Sequence, residues 1–165
     1  SRTANVRSII EFGANIGLNL KALALLLPDA EQVAVELNPT AIAALQEWGH
    51  PQVLETSILQ FVPLRTWDLV LCKGLLIHID PAHLDNAYEK LYESSAHYIL
   101  IVEYYNPTPV AVTYRGSSGQ LFKRDFAGEM LDRFPSLTLA DYGFTYHRDP
   151  NFPQDDTTWF LLEKR

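Results

Sequence analysis

The chain has 165 residues, 47% of them hydrophobic, which suits one domain with a substantial core and excludes the apolar-poor composition of a disordered segment. Lys and Arg number 13 against 20 Asp and Glu, a net charge of -7 with no basic run to displace phosphate counterions, so nucleic acid is not an expected partner. The longest strongly apolar stretch, Leu20 to Leu27, is far short of the roughly 20 residues that span a bilayer, and Ser1 to Asn5 carries no secretory signal core, so no membrane association is expected.

Apolar runs alternate with amphipathic stretches in the order of β-α-β units. Val6 to Phe12 reads as a first strand ended by Gly13, and Leu18 to Leu27 as a helix stopped by Pro28. Gln32 to Leu37 is a second strand; Asn38 can cap the helix that follows, Pro39 suits its first turn, and it runs to about Trp48 and Gly49. Gln52 to Glu55 is a third strand. Trp67 to Lys73 is a fourth, with the continuous apolar pattern of a strand buried on both faces. It contains Cys72, the single cysteine, expected to be a buried hydrophobe in a protein of the reducing cytoplasm.

Asp80-Pro81 opens a helix from about Ala82 to Glu93, and His97 to Tyr104 gives a fifth strand. The crossovers are long enough for these five strands to be parallel. Asn106 to Gln120, with two prolines and two glycines, reads as a long loop. Lys123 to Phe134 is an amphipathic helix stopped by Pro135, and Leu137 to Phe144 and Thr157 to Glu163 form a closing antiparallel hairpin. The expected fold is α/β. A parallel sheet finished by an antiparallel hairpin, with flanking helices, resembles the Rossmann-like class I methyltransferase sheet, and that resemblance implies seven strands of order 3-2-1-4-5-7-6 with the last strand antiparallel.

The first turn, Glu11-Phe12-Gly13-Ala14-Asn15-Ile16-Gly17, lies where the carboxyl end of a strand meets a helix, the place where open sheets bind ligands. Gly13 and Gly17 allow close backbone approach, and the helix start offers free amide donors. Glu36 ends the second strand 19 residues after Gly17, where a carboxylate can accept from both hydroxyls of a ribose. The competing reading is a strand-to-helix turn whose glycines merely pack. A nicotinamide dinucleotide is disfavoured, because the G-x-G-x-x-G spacing is missing.

This turn resembles the first motif of class I S-adenosylmethionine-dependent methyltransferases, with Asn15 in a slot more often held by glycine. The resemblance implies that Glu11 accepts from the cofactor's ammonium, that the amides of Gly13, Ala14, Asn15 and Gly17 meet its carboxylate or ribose, and that Leu37 or Asn38 lines the adenine. It places Ser57 or Ile58 where the family often has an acidic residue, and Lys73 and Gly74 beneath the methionine moiety. It also implies helices ahead of the first strand that lid the cofactor. The expectation is thus one domain over residues 1–165 with the lid helices missing.

Methyl transfer is an in-line displacement that positioning alone can accelerate. A hydroxyl acceptor would gain from a general base, for which His78, Glu103 and Tyr104 are candidates, and His147 a weaker one; each can equally serve packing or loop hydrogen bonds. Asn106, Tyr114, Arg115 and Arg124 concentrate polar and cationic groups after the fifth strand and are candidate substrate contacts, the two arginines for a carboxylate or phosphate. His78 and His83, near Asp80 and Asp85, have the spacing of a solvated helix start, and no metal is expected.

The run from Glu11-Phe12-Gly13 through Glu103-Tyr104-Tyr105-Asn106-Pro107 and Tyr114-Arg115-Gly116 to Lys123-Arg124-Asp125-Phe126 and Asp155-Asp156-Thr157-Thr158-Trp159 is similar to the pseudaminic acid biosynthesis-associated methylases. That resemblance implies a bacterial enzyme of surface-glycan synthesis acting on a small, anionic sugar or sugar-nucleotide. Two alternatives stay open: a non-catalytic S-adenosylmethionine-binding domain, and a methyltransferase acting on a protein.

Overall fold

The structure, a computed structural model, describes residues 2–114 and 117–165. Strands β1 (Ser8–Phe12), β2 (Glu31–Glu36), β3 (Gln52–Glu55), β4 (Trp67–Lys73) and β5 (Ser95–Glu103) pair in parallel, and β9 (Thr157–Lys164) lies antiparallel between β5 and β8 (Leu137–Thr145). The seven-stranded sheet runs β3-β2-β1-β4-β5-β9-β8, the expected order once two extra strands are left out of the count. Helices α1 (Leu18–Leu26), α2 (Pro39–Trp48), α3 (Leu84–Ser94) and α4 (Phe126–Arg133) flank it.

The period-2 alternation of the strands divides the core. Ile10, Phe12, Val70, Cys72, Ile99 and Ile101 pack with Tyr88 and Leu91 of α3 and Met130 of α4. Ile9, Ala34 and Leu69 pack on the other face with Leu20 of α1 and Leu45 of α2. Each fully buried Ile or Leu contributes about 1.5–3 kcal/mol relative to exposure. Helix α2 has the expected ends: Asn38 Oδ1 accepts from the N–H of Thr40 at 2.9 Å, Pro39 stands at the first position, and Gly49 closes the helix with φ 70.

Three expectations are corrected. The segment after β5 is not a long loop: Val110–Tyr114 (β6) and Ser117–Lys123 (β7) form a two-stranded antiparallel sheet of their own, the β-branched Val110, Val112 and Thr113 outweighing the neighbouring prolines. Lys123 therefore ends a strand, and α4 begins only at Phe126, where Asp125 accepts from the N–H of Gly128 at 2.8 Å. The helix expected from Ala82 starts at Leu84, after a 3-10 turn over Pro81–His83. Strand β7 packs against another such turn, Leu76–His78, just beyond β4. No helix among the described residues is long and apolar enough to cross a membrane.

Candidate functional site

The carboxyl ends of β1 and β2 lie side by side because Phe12 is in register with Val35. The chain leaves β1 through three residues with left-handed backbone, Gly13 (φ 71), Asn15 (φ 48) and Gly17 (φ 78), and Gly17 is the N-cap of α1 with no side chain to fill that role. The positive φ favours glycine at both positions, and a Cβ would in addition press on the Leu75 side chain at 3.2 Å from Gly13 and on Leu45 Cδ2 at 2.7 Å from Gly17, so those leucines would have to shift.

Glu36 closes this turn from the neighbouring strand. Its Oε2 accepts from the N–H of Asn15 at 2.7 Å, and its Oε1 from the N–H groups of Leu37 and Asn38 at 2.7 and 2.8 Å. Three of about four lone-pair sites are thus used by backbone amides, which fixes the carboxylate at the sheet edge beside the glycine turn. Leu37 is exposed next to it.

Glu11 is fully buried. Its Oε1 accepts from Asn19 Nδ2 at 2.6 Å, while its Oε2 has no partner among the described residues. Burial pushes its pKa up to about 8, against the opposing pull of the Asn19 hydrogen bond and the Lys73 charge. A buried carboxyl with one oxygen unmatched is costly unless it meets a cation or donor, and that is the property of a ligand group. Asn19 escaped the sequence reading; the only signal was an amide in the first turn of an otherwise apolar helix.

A second buried acid ends β5. Glu103 Oε1 accepts from the N–H groups of Leu75 and Leu76, both at 2.8 Å, its Oε2 is likewise unpartnered among the described residues, and burial pushes it up to about 8. Half of its hydrogen-bonding capacity therefore holds the turn after β4, whose Leu75 side chain rests on Gly13. Gly74 begins this turn with φ 63, its N–H bonded to the carbonyl of Val102, and Lys73 reaches Gln154 at 3.4 Å.

Of the remaining candidates, Asn106 and Arg124 meet through their backbones, the Asn106 N–H donating to the Arg124 carbonyl. His78 is exposed at the end of its 3-10 turn, and Tyr104 donates to Asp155 at 2.9 Å. His147 pairs with Asp156 at 2.8 Å in the β8–β9 connection. Asn106 spends its amide on the Thr108 carbonyl at 2.6 Å, within its own turn. Ser57 accepts from the N–H of Gln60, and Ile58 is a core residue. Arg124 is held by Glu129 at 2.6 Å. Tyr114 ends β6, opposite Ser117, and Arg115 lies outside the described residues. Among the described residues no three His, Cys, Asp or Glu side chains are grouped to hold a metal ion.

The arrangement therefore offers a glycine-lined turn at a helix start, a fixed carboxylate on the adjacent strand, and a buried acid beneath. No family model matches the chain, and no curated protein matches it in sequence. Its fold is shared with solved methyltransferase structures. The N-methyltransferase NodS from Bradyrhizobium japonicum WM9 with S-adenosyl-L-homocysteine superposes with a TM-score of 0.74 at 17% identity, over 96% of this chain and 78% of that one. Magnesium protoporphyrin IX methyltransferase from Synechocystis PCC 6803 with bound SAM gives 0.72 at 13%, over 100% and 72%. The 1,6-didemethyltoxoflavin-N1-methyltransferase of Burkholderia thailandensis gives 0.72 at 15%, over 95% and 70%.

Proposed function

We propose that the protein is an S-adenosylmethionine-dependent methyltransferase acting on a small molecule. The observation that carries this reading is the half-satisfied, fully buried Glu11 beneath the Gly13–Gly17 turn, with Glu36 fixed beside it. The cofactor, when bound, supplies an electrophilic methyl group. The residues present fit such a ligand. Glu11 Oε2 is an unmatched acceptor for its ammonium, served directly or through a bridging water. The glycine turn and the start of α1 suit its carboxylate. Glu36 suits its ribose, whose two hydroxyls would displace one of the three amides now bonded to the carboxylate. Solved neighbours of the same fold carry SAM or S-adenosyl-L-homocysteine, which supports the same choice.

The acceptor we infer is an anionic sugar or sugar-nucleotide of bacterial surface-glycan synthesis, in a cytoplasmic enzyme. Support for it comes from the Lys-Arg-Asp-Phe and Asp-Asp-x-x-Trp segments and from the cations gathered after β5. Calorimetric titration with S-adenosyl-L-homocysteine tests the cofactor reading without needing the acceptor. Saturable binding by the parent, lost by at least about tenfold in Glu36→Ala and Gly13→Val, is expected, since each variant removes one recognition feature. Absence of binding by the parent would overturn the reading.

A further inference from the structure

The two edges of the seven-stranded sheet differ. One is β3, four residues long; the other is β8, nine residues long, without proline or lysine and with Asp141 as its single charge. Open edges are commonly guarded by brevity, lysine, proline or a bulge, and of these β8 has only a bulge, between Leu139 and Asp141. The bulge bends the strand there, so the unguarded stretch is the one beyond it. Asp141 is matched by Arg2 at 2.8 Å, which leaves that stretch without a free charge until the turn that follows.

Period-2 alternation sends Tyr142, Phe144 and Tyr146 to one face of this stretch, where they are 64, 60 and 45% exposed. Tyr142 lies opposite Phe160 of β9 with the rings stacked 6.4 Å apart, and Phe144 meets Tyr146 at 6.1 Å. The aromatic surface of β9 thus continues outward to the open edge. At about 200 Å² per aromatic side chain, these exposures leave on the order of 350 Å² per protomer, nearly half of the roughly 800 Å² that each partner contributes to a stable complex. Main-chain hydrogen bonds along a paired edge add to that contact.

The stretch Asp141-Tyr142-Gly143-Phe144-Thr145-Tyr146-His147 is self-complementary when laid antiparallel on a second copy with Phe144 at the two-fold axis. In that register Phe144 faces its own copy, Tyr142 faces Tyr146, Gly143 faces Thr145, and Asp141 faces His147. Every aromatic then has an aromatic partner, and the one carboxylate meets an imidazole rather than another acid. Neighbouring registers fail. Centred on Thr145, the pairing sets Asp141 against Asp149; centred on Gly143, it sets Tyr146 against the bulged Ala140. We propose that the protein forms a two-fold dimer by pairing the Tyr142–Tyr146 edges of two copies of β8 in this register. The contact is short, so the dimer is weak and dependent on concentration. It lies four strands from β1 in the sheet and is independent of the methyltransferase reading.

Sedimentation equilibrium tests the assembly and disulfide trapping tests the register. The parent should approach twice its chain mass as concentration rises. Phe144→Lys sets two like charges at the axis and should weaken the dimer by at least about tenfold, whereas Leu64→Lys, at a position 93% exposed between β3 and β4, should leave it unchanged. Residues directly opposite in an antiparallel pair have Cα atoms about 4.5–5.5 Å apart, within disulfide range, while Tyr142 and its own copy would stand about 13 Å apart. Under mild oxidation Phe144→Cys should therefore form a covalent dimer, Tyr142→Cys alone should not, and an equal mixture of Tyr142→Cys and Tyr146→Cys should. The native Cys72 is fully buried and gives no background. A parent that stays at the monomer mass up to about 1 mM, leaving this edge to a different protein, would overturn the inference. So would a dimer that Phe144→Lys does not weaken, or trapping by Tyr142→Cys as efficient as by Phe144→Cys.

Discussion

Individual residues at the ends of β1 and β5 carry the account, and they differ in how far sequence could reveal them. Glu11, Gly13, Gly17 and Glu36 were legible because their spacing on a strand-turn-helix unit constrains what they can do. Glu103 was legible only as an acid at a strand end. Its attachment to the Leu75 and Leu76 amides depends on the pairing of β4 with β5, which sets Lys73 beside Val102, and no linear spacing encodes that register. Tyr88 was invisible for the same reason, since it acts on Glu129 across 41 positions that only the folded chain brings together. Gly17 gives a sharp test at this scale. Its φ of 78 and the Leu45 contact at 2.7 Å mean that Gly17→Ala should destabilise the fold by about 1–3 kcal/mol, read as a fall in the urea midpoint. An unchanged midpoint would show that the turn can relax.

Elements built on strong local patterns came through sequence reading intact, and the failures lie where two signals compete. The parallel strands are continuous apolar runs, and α2 has an Asn cap, a proline at its first position and a glycine at its end. Between β5 and α4, Pro107 and Pro109 argued for a loop while Val110-Ala111-Val112-Thr113 argued for a strand, and pairing with the following segment decided it. Lys123 and Arg124 looked like the polar face of a helix, whereas Asp125, an N-cap type, marks the true start. The closing hairpin makes its own prediction. In β8, Gly143 lies opposite Trp159 of β9, and a Cβ there would fall 2.6 Å from the indole ring. Gly143→Ala should therefore cost about 1–3 kcal/mol by overpacking, and Gly143→Ala with Trp159→Phe should recover part of it in thermal unfolding. Equal losses in the single and double variants would show that the indole is not what confines position 143.

At the scale of the whole molecule, two buried acids set the pH dependence of stability. Glu11 and Glu103 are each raised from 4.5 to about 8 by burial, so between these values the folded chain keeps protons that the unfolded chain has released. Stability should consequently fall as pH rises from about 5 to about 8. The carboxylates held below their usual value, Asp68 with its Arg7 and Ser8 contacts among them, act below that window and do not oppose the trend. Urea midpoints at several pH values in this range check it; a midpoint that is flat or rises with pH would contradict the burial of these acids as charged-state penalties.

Both the ligand and the protonation of its site enter one measurement: calorimetric titration of S-adenosyl-L-homocysteine at pH 7 in two buffers of different ionisation enthalpy, on the parent and on Glu11→Gln. Glu11 is protonated below about 8, and a bound ammonium favours its carboxylate. The account predicts saturable binding with release of on the order of one proton by the parent, and weaker binding without release by the variant. Absence of binding, or binding with equal affinity and equal proton release in both proteins, would contradict it.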